Sequence, residues 1–379
     1  MLRRSFGGAA AVAGIAAIAC LMALRPPQPP TPELPQPVRQ VTDMQGQPVL
    51  LSGLPRSVMV FPPVLWDYLT ADGEEGHVTA IAGYLQKEAQ ATLLGSVFPG
   101  LRTTNMAQAR IGAVPLGAEQ TLLEQPDLVL TWSWFADALA QIRYPGLVRI
   151  EGDETAGMRT IYQLFGALSG KSRAVDTLLA QHARAMDELG RSMPPAPRPV
   201  KVALMATPEF VLPVKSADIL QTLDWLGARD AGAGLPQRNG PVNVETLFVL
   251  DPDFIFLPSY KSGAQLAPAD LYADPRLKPL SAIRQRQVYR MPGGVARMSG
   301  PVEAPLLAQW MAELINPAAQ LRQPLRAAMR DAYRTAFSYD ACEDDIDEVL
   351  RIGENRASSG YRRFARDAVW PKSPQPRPE

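Results

Sequence analysis

The sequence predicts an α/β fold of two similar lobes with central, mainly parallel sheets, joined by one long rigid helix. The strongest observation is a phrase that occurs twice, in which a Glu is followed eight residues later by the Asp of a Pro-Asp pair. The pairs are Glu119 with Asp127 and Glu245 with Asp253, and an apolar run follows each Asp, three residues long after Asp127 and four after Asp253. Proline disfavours helix in the residue before it and aspartate suits a turn, so each copy predicts a helix, a sharp corner and a buried strand. Uniformly apolar strands are typical of parallel sheets that are covered on both faces.

The start and end of each lobe repeat as well. A Pro-Arg pair precedes the apolar strands predicted at 58–61 and 200–205, and further strands are predicted at 147–150 and 287–290. Strands that alternate with helices at this spacing indicate βαβ units. We therefore predict the same strand–helix succession in both halves of the chain.

A helical segment separates the two halves. Apolar residues recur at helical spacing from 158 to 193, and a Pro-rich stretch at 194–197 ends the pattern. Gly166 and Gly170 weaken the helix and leave room for a break near Gly170. A rigid helical link is favoured over a glycine hinge.

These patterns divide the chain into six parts. They are a signal peptide (1–24), a Pro-rich spacer (25–40), an N-terminal lobe (41–155), a linking helix (156–195), a C-terminal lobe (196–340) and a C-terminal tail (341–379).

The N-terminus indicates export. Arg3 and Arg4 precede an apolar, small-residue stretch at 6–24, as in a signal peptide. The residues before Cys20 are similar to a bacterial lipobox, which would place a lipid on this cysteine. A twin-arginine signal and an uncleaved anchor are the alternatives, and all three place the rest of the chain outside the cytoplasm. If Cys20 is acylated or removed, Cys342 has no partner, because the chain has two cysteines.

The charge balance makes nucleic acid an unexpected partner. Lys plus Arg and Asp plus Glu both number 38, and no basic stripe with interleaved aromatics is present. With 379 residues, of which 46% are hydrophobic, the chain is long enough for two core-bearing lobes.

The chain resembles the periplasmic substrate-binding proteins of the helical-backbone class, which serve ABC importers for ferric siderophores, haem and cobalamin. The resemblance covers roughly residues 41–317, with the Thr-Asp hairpin at 41–51, both Pro-Asp strands, the linking helix and the closing segment 288–292. The C-terminal stretch is similar to that of some iron-complex members. The resemblance implies a monomeric extracytoplasmic receptor that delivers an iron complex to an ABC importer permease, with a haem or cobalamin receptor as the alternative. It implies no cofactor beyond the ligand itself, a ferric chelate.

An extracytoplasmic enzyme on the same two-lobed scaffold is the other class of function. The chain has two histidines, His77 and His182, and we expect both to be ordinary surface residues. There is no histidine cluster for zinc or manganese, no Gly-x-Ser-x-Gly elbow and no phosphate-binding glycine loop. A pair of carboxylates for glycoside hydrolysis stays open, because sequence spacing does not give distance. We predict no catalytic residues and no resident metal.

Ligand-binding residues are expected outside the carboxyl ends of the strands, between the lobes. Trp132 matches the position at which the family has a ligand-facing aromatic residue. A tyrosine in the equivalent loop of the second lobe could stack, donate a hydrogen bond or ligate iron. Three cations, Lys261, Arg297 and Arg143, would suit an anionic iron complex. The candidates are Phe61, Trp132, Trp134, Phe210, Tyr260, Lys261 and Arg297.

Docking to the permease is the last expectation that the resemblance implies. Acidic residues beyond the Pro-Asp strand of each lobe bind permease arginines in this family. The nearest acids here are Asp137 in the first lobe and Asp270 in the second.

Overall fold

The computed structural model describes most of residues 39–368. The gaps in this description are 62–63, 108–120, 122–123, 134–135, 137–142, 152–156, 194–195, 208–209, 213, 215, 236–243, 260–265, 318 and 320. The predicted signal peptide, Cys20 and nearly all of the predicted spacer lie outside the described residues. Within them, no helix is both long and apolar enough to cross a membrane.

The first lobe is built on a five-stranded parallel sheet with the order β5-β4-β3-β6-β7. An antiparallel hairpin, β1–β2, precedes it, at the predicted place. The elements are β1 (Arg39–Thr42), β2 (Pro48–Leu51), β3 (Val58–Val60), α1 (Leu65–Asp72), β4 (Val78–Ala82), α2 (Gly83–Ala91), α3 (Leu93–Val97), a 3-10 turn (Pro99–Arg102), β5 (Asn105–Ala107), β6 (Leu128–Trp132) and β7 (Leu147–Ile150).

The second lobe repeats this plan with four parallel strands in the order β10-β8-β11-β12, and β9 pairs antiparallel with β8. Its elements are β8 (Val200–Thr207), β9 (Phe210–Leu212), α6 (Ala217–Trp225), β10 (Ala228–Asp230), α7 (Val244–Leu250), β11 (Phe254–Leu257), α8 (Pro268–Ala273), α9 (Ser281–Arg284), β12 (Val288–Arg290), α10 (Gly300–Ile315), α11 (Leu325–Phe337), α12 (Glu343–Val349), α13 (Ile352–Asn355) and a 3-10 turn (Tyr361–Phe364). Helices α4 (Gly157–Ser169) and α5 (Ser172–Ser192) connect the lobes. The predicted two-sheet α/β architecture is confirmed.

The repeated Pro-Asp phrase marks the same corner in both lobes. Asp127 Oδ2 accepts the backbone N–H groups of Arg56 at 2.7 Å and Ser57 at 3.1 Å. Asp253 Oδ2 likewise accepts the N–H of Lys201 at 2.8 Å. Each carboxylate thus ties the start of the central strand, β3 or β8, to the neighbouring parallel strand that the Asp itself opens. The aspartate is repeated because both sheets need a hydrogen-bond acceptor at this point.

The link between the lobes differs from the prediction of one helix. The segment forms two helices, α4 and α5, which pack against each other. Gly170 separates them with φ of +77°, and a Cβ at this position would lie 2.6 Å from Leu54 Cδ2. The glycine provides both the left-handed conformation and the close approach. The break near Gly170, left open above, is therefore present.

Residues 341–368, which the sequence analysis assigned to a separate C-terminal tail, form an integral part of the second lobe. Strand β12 is an edge strand, and the buried Asn355 covers it in place of a neighbouring strand. The Asn355 side chain accepts the Arg290 N–H at 2.7 Å and donates to the Arg290 carbonyl at 2.9 Å. The Ser358 hydroxyl donates to the Val288 carbonyl at 2.5 Å. The C-terminal stretch therefore satisfies an edge that would otherwise expose unpaired backbone groups.

Candidate functional site: the cleft between the lobes

A cleft of about 570 Å³ lies between the two lobes. Its walls come from the carboxyl end of β6 in the first lobe and from the segments after β11 and β12 in the second. Helices α1, α4, α6 and α10 complete the lining. This is the position at which α/β sheets bind ligands, and its volume lies within the range for small-molecule sites.

Trp132 lies at the end of β6 and lines the cleft, as the strand register predicted. It is half-buried, so part of the indole faces the cavity and part packs against the apolar core. Trp66, at the start of α1, lines the cleft from the same lobe. The first lobe thus supplies two aromatic side chains to this wall.

Arg297 also lines the cleft, from the segment between β12 and α10. Arg297 and Met298 adopt left-handed backbone conformations with φ of +53° and +59°. The fully buried Glu303 fixes this segment, because its carboxylate accepts three backbone N–H groups within residues 295–298 at 2.8–2.9 Å and the Tyr333 hydroxyl at 2.8 Å. Burial raises the pKa of Glu303, whereas these hydrogen bonds oppose the rise. The loop is therefore preorganised by one side chain of the following helix.

The charge of Arg297 already has a partner in the first lobe. The guanidinium forms a bidentate ion pair with Glu88 of α2, with 2.9 Å between Nε and Oε1 and a second, shorter contact from Nη2 to Oε2. Its Cζ lies 4.3 Å from the centre of the Trp66 ring, on the ring face. This group joins the two lobes beside the cleft, and its positive charge is neutralised before any ligand binds.

A carboxylate without a described counter-ion lines the cleft as well. Asp67 follows Trp66 in the first turn of α1, and its Oδ1 accepts the hydroxyl of Tyr162, in α4, at 2.9 Å. Burial raises the pKa of Asp67 to about 7, although the hydrogen bond from Tyr162 lowers it. Helix α10 begins against this pair, since a Cβ on Gly300 would lie 2.4 Å from the Tyr162 hydroxyl oxygen.

The two histidines have different environments. His77 lies 3.6 Å from Glu74 and is 38% exposed, as expected for a surface residue. The expectation for His182 is wrong, because its side chain is only 10% exposed where α5 packs on the second lobe. Its Nε2 lies 3.3 Å from Asp218, a residue that lines the cleft.

The structure brings two of the predicted ligand residues, Trp132 and Arg297, to the cleft. Phe61 is fully buried in an apolar cluster of the first lobe and does not line the described part of the cleft. Phe210 begins β9, and its side chain lies outside the described part. Trp134, Tyr260, Lys261 and Asp137 also lie outside the described residues. Asp270 is exposed in the first turn of α8, where its carboxylate accepts the Ala267 N–H at 2.8 Å.

Sequence reasoning missed Trp66, Asp67 and Glu88. The first two follow β3 and its loop, so the carboxyl-end rule that selected the other candidates could have included them. Glu88 gives no such signal, because it lies within a helix and reaches Arg297 only across the lobe boundary. No group of three or more His, Cys, Asp or Glu side chains within the described ranges could hold a metal ion.

Residues 116–294 match a family model described as periplasmic binding protein. A comparison with curated proteins gives no match. Together with the two-lobed fold, the family match confirms the predicted resemblance to the periplasmic binding proteins of ABC transporters. It also confirms the predicted periplasmic location.

Solved structures show the same fold at low sequence identity. A periplasmic solute binding protein from Veillonella parvula is 22% identical, with a TM-score of 0.69 over 84% of this chain and 98% of the other. CeuE of Helicobacter pylori, in a nickel–histidine complex, is 17% identical with a TM-score of 0.65 over 83% and 99% of the two chains. The Haemophilus influenzae molybdate-binding protein MolA is 16% identical with a TM-score of 0.65 over 80% and 99%.

Proposed function

We propose that this protein is a receptor for an iron complex, such as a ferric siderophore, and delivers it to an ABC importer. The observation that carries the proposal is the cleft of about 570 Å³ with Trp132 and Trp66 in its wall. Aromatic side chains give large contact areas to organic ligands and lose little conformational entropy. A ligand of this kind would be an organic chelate; haem and cobalamin are the alternatives.

The size of the cleft favours a chelate over a small ion. Structural neighbours include proteins bound to molybdate and to nickel–histidine. A tetrahedral oxyanion would leave most of this cavity filled with water, and ligand sites in general enclose most of the ligand surface. Several apolar side chains, including Met158, Ile219 and Met311, also line the cleft, and they suit an organic framework better than a hydrated ion.

The receptor is favoured over an enzyme by the state of the polar groups around the cleft. Ser259 donates its hydroxyl to the Met291 carbonyl at 2.9 Å rather than to a base. His182 pairs with Asp218 and not with a nucleophile in the described residues. A nucleophile next to a general base, which covalent catalysis requires, is not found among the described residues that line the cleft.

Docking to the permease and anchoring to the membrane belong to the same proposed receptor function. We infer that Asp137 and Asp270 contact the permease and that a lipid on Cys20 tethers the receptor. The exposure of Asp270 at the start of α8 supports its part in this proposal. Exposed ion pairs of this kind are individually weak, so they would select the docking orientation rather than provide most of the affinity.

Titration of purified protein with ferric chelates, haemin, cyanocobalamin and molybdate tests the proposed function. Binding is followed by quenching of tryptophan emission and, independently, by calorimetry. Replacing Trp132 with Ala should weaken binding of a ferric chelate by about 1–3 kcal/mol, because a stacked aromatic anchor is lost. Trp225→Ala is the matched control, since Trp225 packs on Gly190 of α5 outside the cleft.

Micromolar binding of a ferric chelate that Trp132→Ala weakens and Trp225→Ala leaves unchanged would support the proposal. Exclusive binding of haemin or cyanocobalamin would reassign the ligand. Chemical turnover of any ligand, seen as a change in its mass after release, would favour the enzyme.

A further inference from the structure

Asp67 presents an unused carboxylate oxygen to the ligand cleft. Its Oδ1 accepts the Tyr162 hydroxyl at 2.9 Å, whereas Oδ2 has no hydrogen-bond partner among the described residues. Asp67 lines the cleft and is half-buried, and Oδ2 is not among the fully buried, unpartnered side-chain atoms of the described residues, so a ligand can reach it. A partly desolvated carboxylate without a cation is costly, and such a group is normally paired.

The other charged side chains that line the described part of the cleft do not provide this cation. Arg297 forms its bidentate pair with Glu88. Asp218 lies 3.3 Å from His182. Arg159, on α4, is exposed at the cleft and forms no ion pair with Asp67 within 4.0 Å. Within the described lining, Asp67 is therefore a carboxylate with no cation at ion-pair distance.

The structural contacts of Asp67 use only one oxygen of its carboxylate. Its position in the first turn of α1 and its closeness to the start of α10 at Gly300 favour a negative charge. Neither feature uses Oδ2, because no hydrogen bond joins Asp67 to a backbone N–H of α10 in the described structure. Tyr162 fixes the orientation of the carboxylate through Oδ1 and leaves Oδ2 without a hydrogen bond in the described structure.

We propose that Asp67 is a cation-recognising subsite, at which the bound ligand places an ammonium or guanidinium group against Oδ2. This inference rests on the proposed receptor function and specifies its ligand as a chelate that carries a positively charged group. Tyr162 acts as a positioning residue, since it binds the other carboxylate oxygen. The neutralisation of Arg297 by Glu88 agrees with this assignment, and it differs from the sequence-based expectation of an anionic complex.

Two linear ferric trihydroxamates that differ in one group provide the test. One has a free terminal amine, and in the other this amine is acetylated, so that only the positive charge is lost. At pH 8, above the pKa of about 7 for Asp67, wild-type protein should bind the amine form about tenfold more tightly, as expected for one charge-assisted hydrogen bond. Asp67→Asn should bind both forms with the affinity that wild type shows for the acetylated one.

Asp224→Asn is the charge-matched control, because Asp224 is exposed on α6 outside the cleft, and it should keep the tenfold preference. Tyr162→Phe should reduce the preference without abolishing it. Equal binding of both chelates by wild type would overturn the subsite and leave the receptor proposal intact.

If wild type binds neither chelate, the iron-hydroxamate ligand is wrong and the subsite is tested alone. Butylammonium is then titrated against wild type and Asp67→Asn, with butanol as the neutral control and emission of the adjacent Trp66 as the signal. A saturable change with butylammonium that is lost in Asp67→Asn supports the subsite. Identical responses of the two proteins overturn it.

Discussion

The ion pair between Arg297 and Glu88 gives the sharpest prediction about how the lobes hold together. The two side chains are 12% and 16% exposed, and they join the segment before α10 to helix α2 of the other lobe. The guanidinium also lies 4.3 Å from the centre of the Trp66 ring. We expect the Glu88→Gln, Arg297→Gln double-mutant cycle to show clear coupling in the free energy of unfolding.

The expected size of this coupling energy follows from the geometry and burial of the ion pair. Exposed ion pairs contribute about 0–1 kcal/mol, whereas hydrogen bonds to charged groups contribute about 1.5–3 kcal/mol. This pair is bidentate and mostly shielded from water, so we expect a coupling of about 1–2 kcal/mol. The two single variants should lose different amounts of unfolding free energy. Glu88→Gln leaves the cation on the Trp66 ring, an interaction of about 0.5–2 kcal/mol, whereas Arg297→Gln leaves a shielded carboxylate without its cation.

Chemical denaturation of the four proteins, followed by circular dichroism, measures the coupling. The pair Arg322 and Glu188 is the control, because its side chains are 86% and 56% exposed at 3.4 Å, and the same cycle there should give almost none. Additive effects at Arg297 and Glu88, within about 0.5 kcal/mol, would refute the reasoning. A larger cost for Glu88→Gln than for Arg297→Gln would refute the assigned asymmetry.

Two further predictions concern buried polar groups of the second lobe. Asn355→Ala should lower the free energy of unfolding by about 2–4 kcal/mol, because the Arg290 N–H and carbonyl on edge strand β12 lose their partners. Asn105→Ala is the control in the same denaturation assay and should have little effect, because Asn105 is exposed. Burial raises the pKa of Glu313 from 4.5 to about 7, although the hydrogen bond from Gln309 opposes the rise. Between pH 4.5 and about 7, the folded state therefore keeps a proton that the unfolded state has lost. Unfolding free energy should therefore fall with rising pH in this window, by up to about 1.4 kcal/mol per unit, and Glu313→Gln should remove that part of the slope; equal pH profiles of variant and wild type would contradict the assignment.

The sequence by itself determined the architecture, because the repeated phrases are local. A Pro-Asp corner followed by an apolar strand depends on neighbouring residues, and both copies begin strands β6 and β11 as predicted. Gly170 shows where this reasoning stops. The glycine indicated a weak point in the link, but the close approach of Leu54, more than a hundred positions earlier, is a tertiary contact.

The tertiary structure decided which side chains share the cleft and what charge they carry. Trp132 could be predicted, because the register of an apolar strand fixes the position of the residue at its end. The neutralisation of Arg297 by Glu88 could not, since the two residues come from different lobes and no periodicity relates them. The pairing of Asp67 with Tyr162 could not be predicted either, because the packing of α1 against α4 places Asp67 Oδ1 2.9 Å from the Tyr162 hydroxyl oxygen. Local patterns fix backbone elements, whereas pairing and desolvation depend on distances that only the packed lobes define.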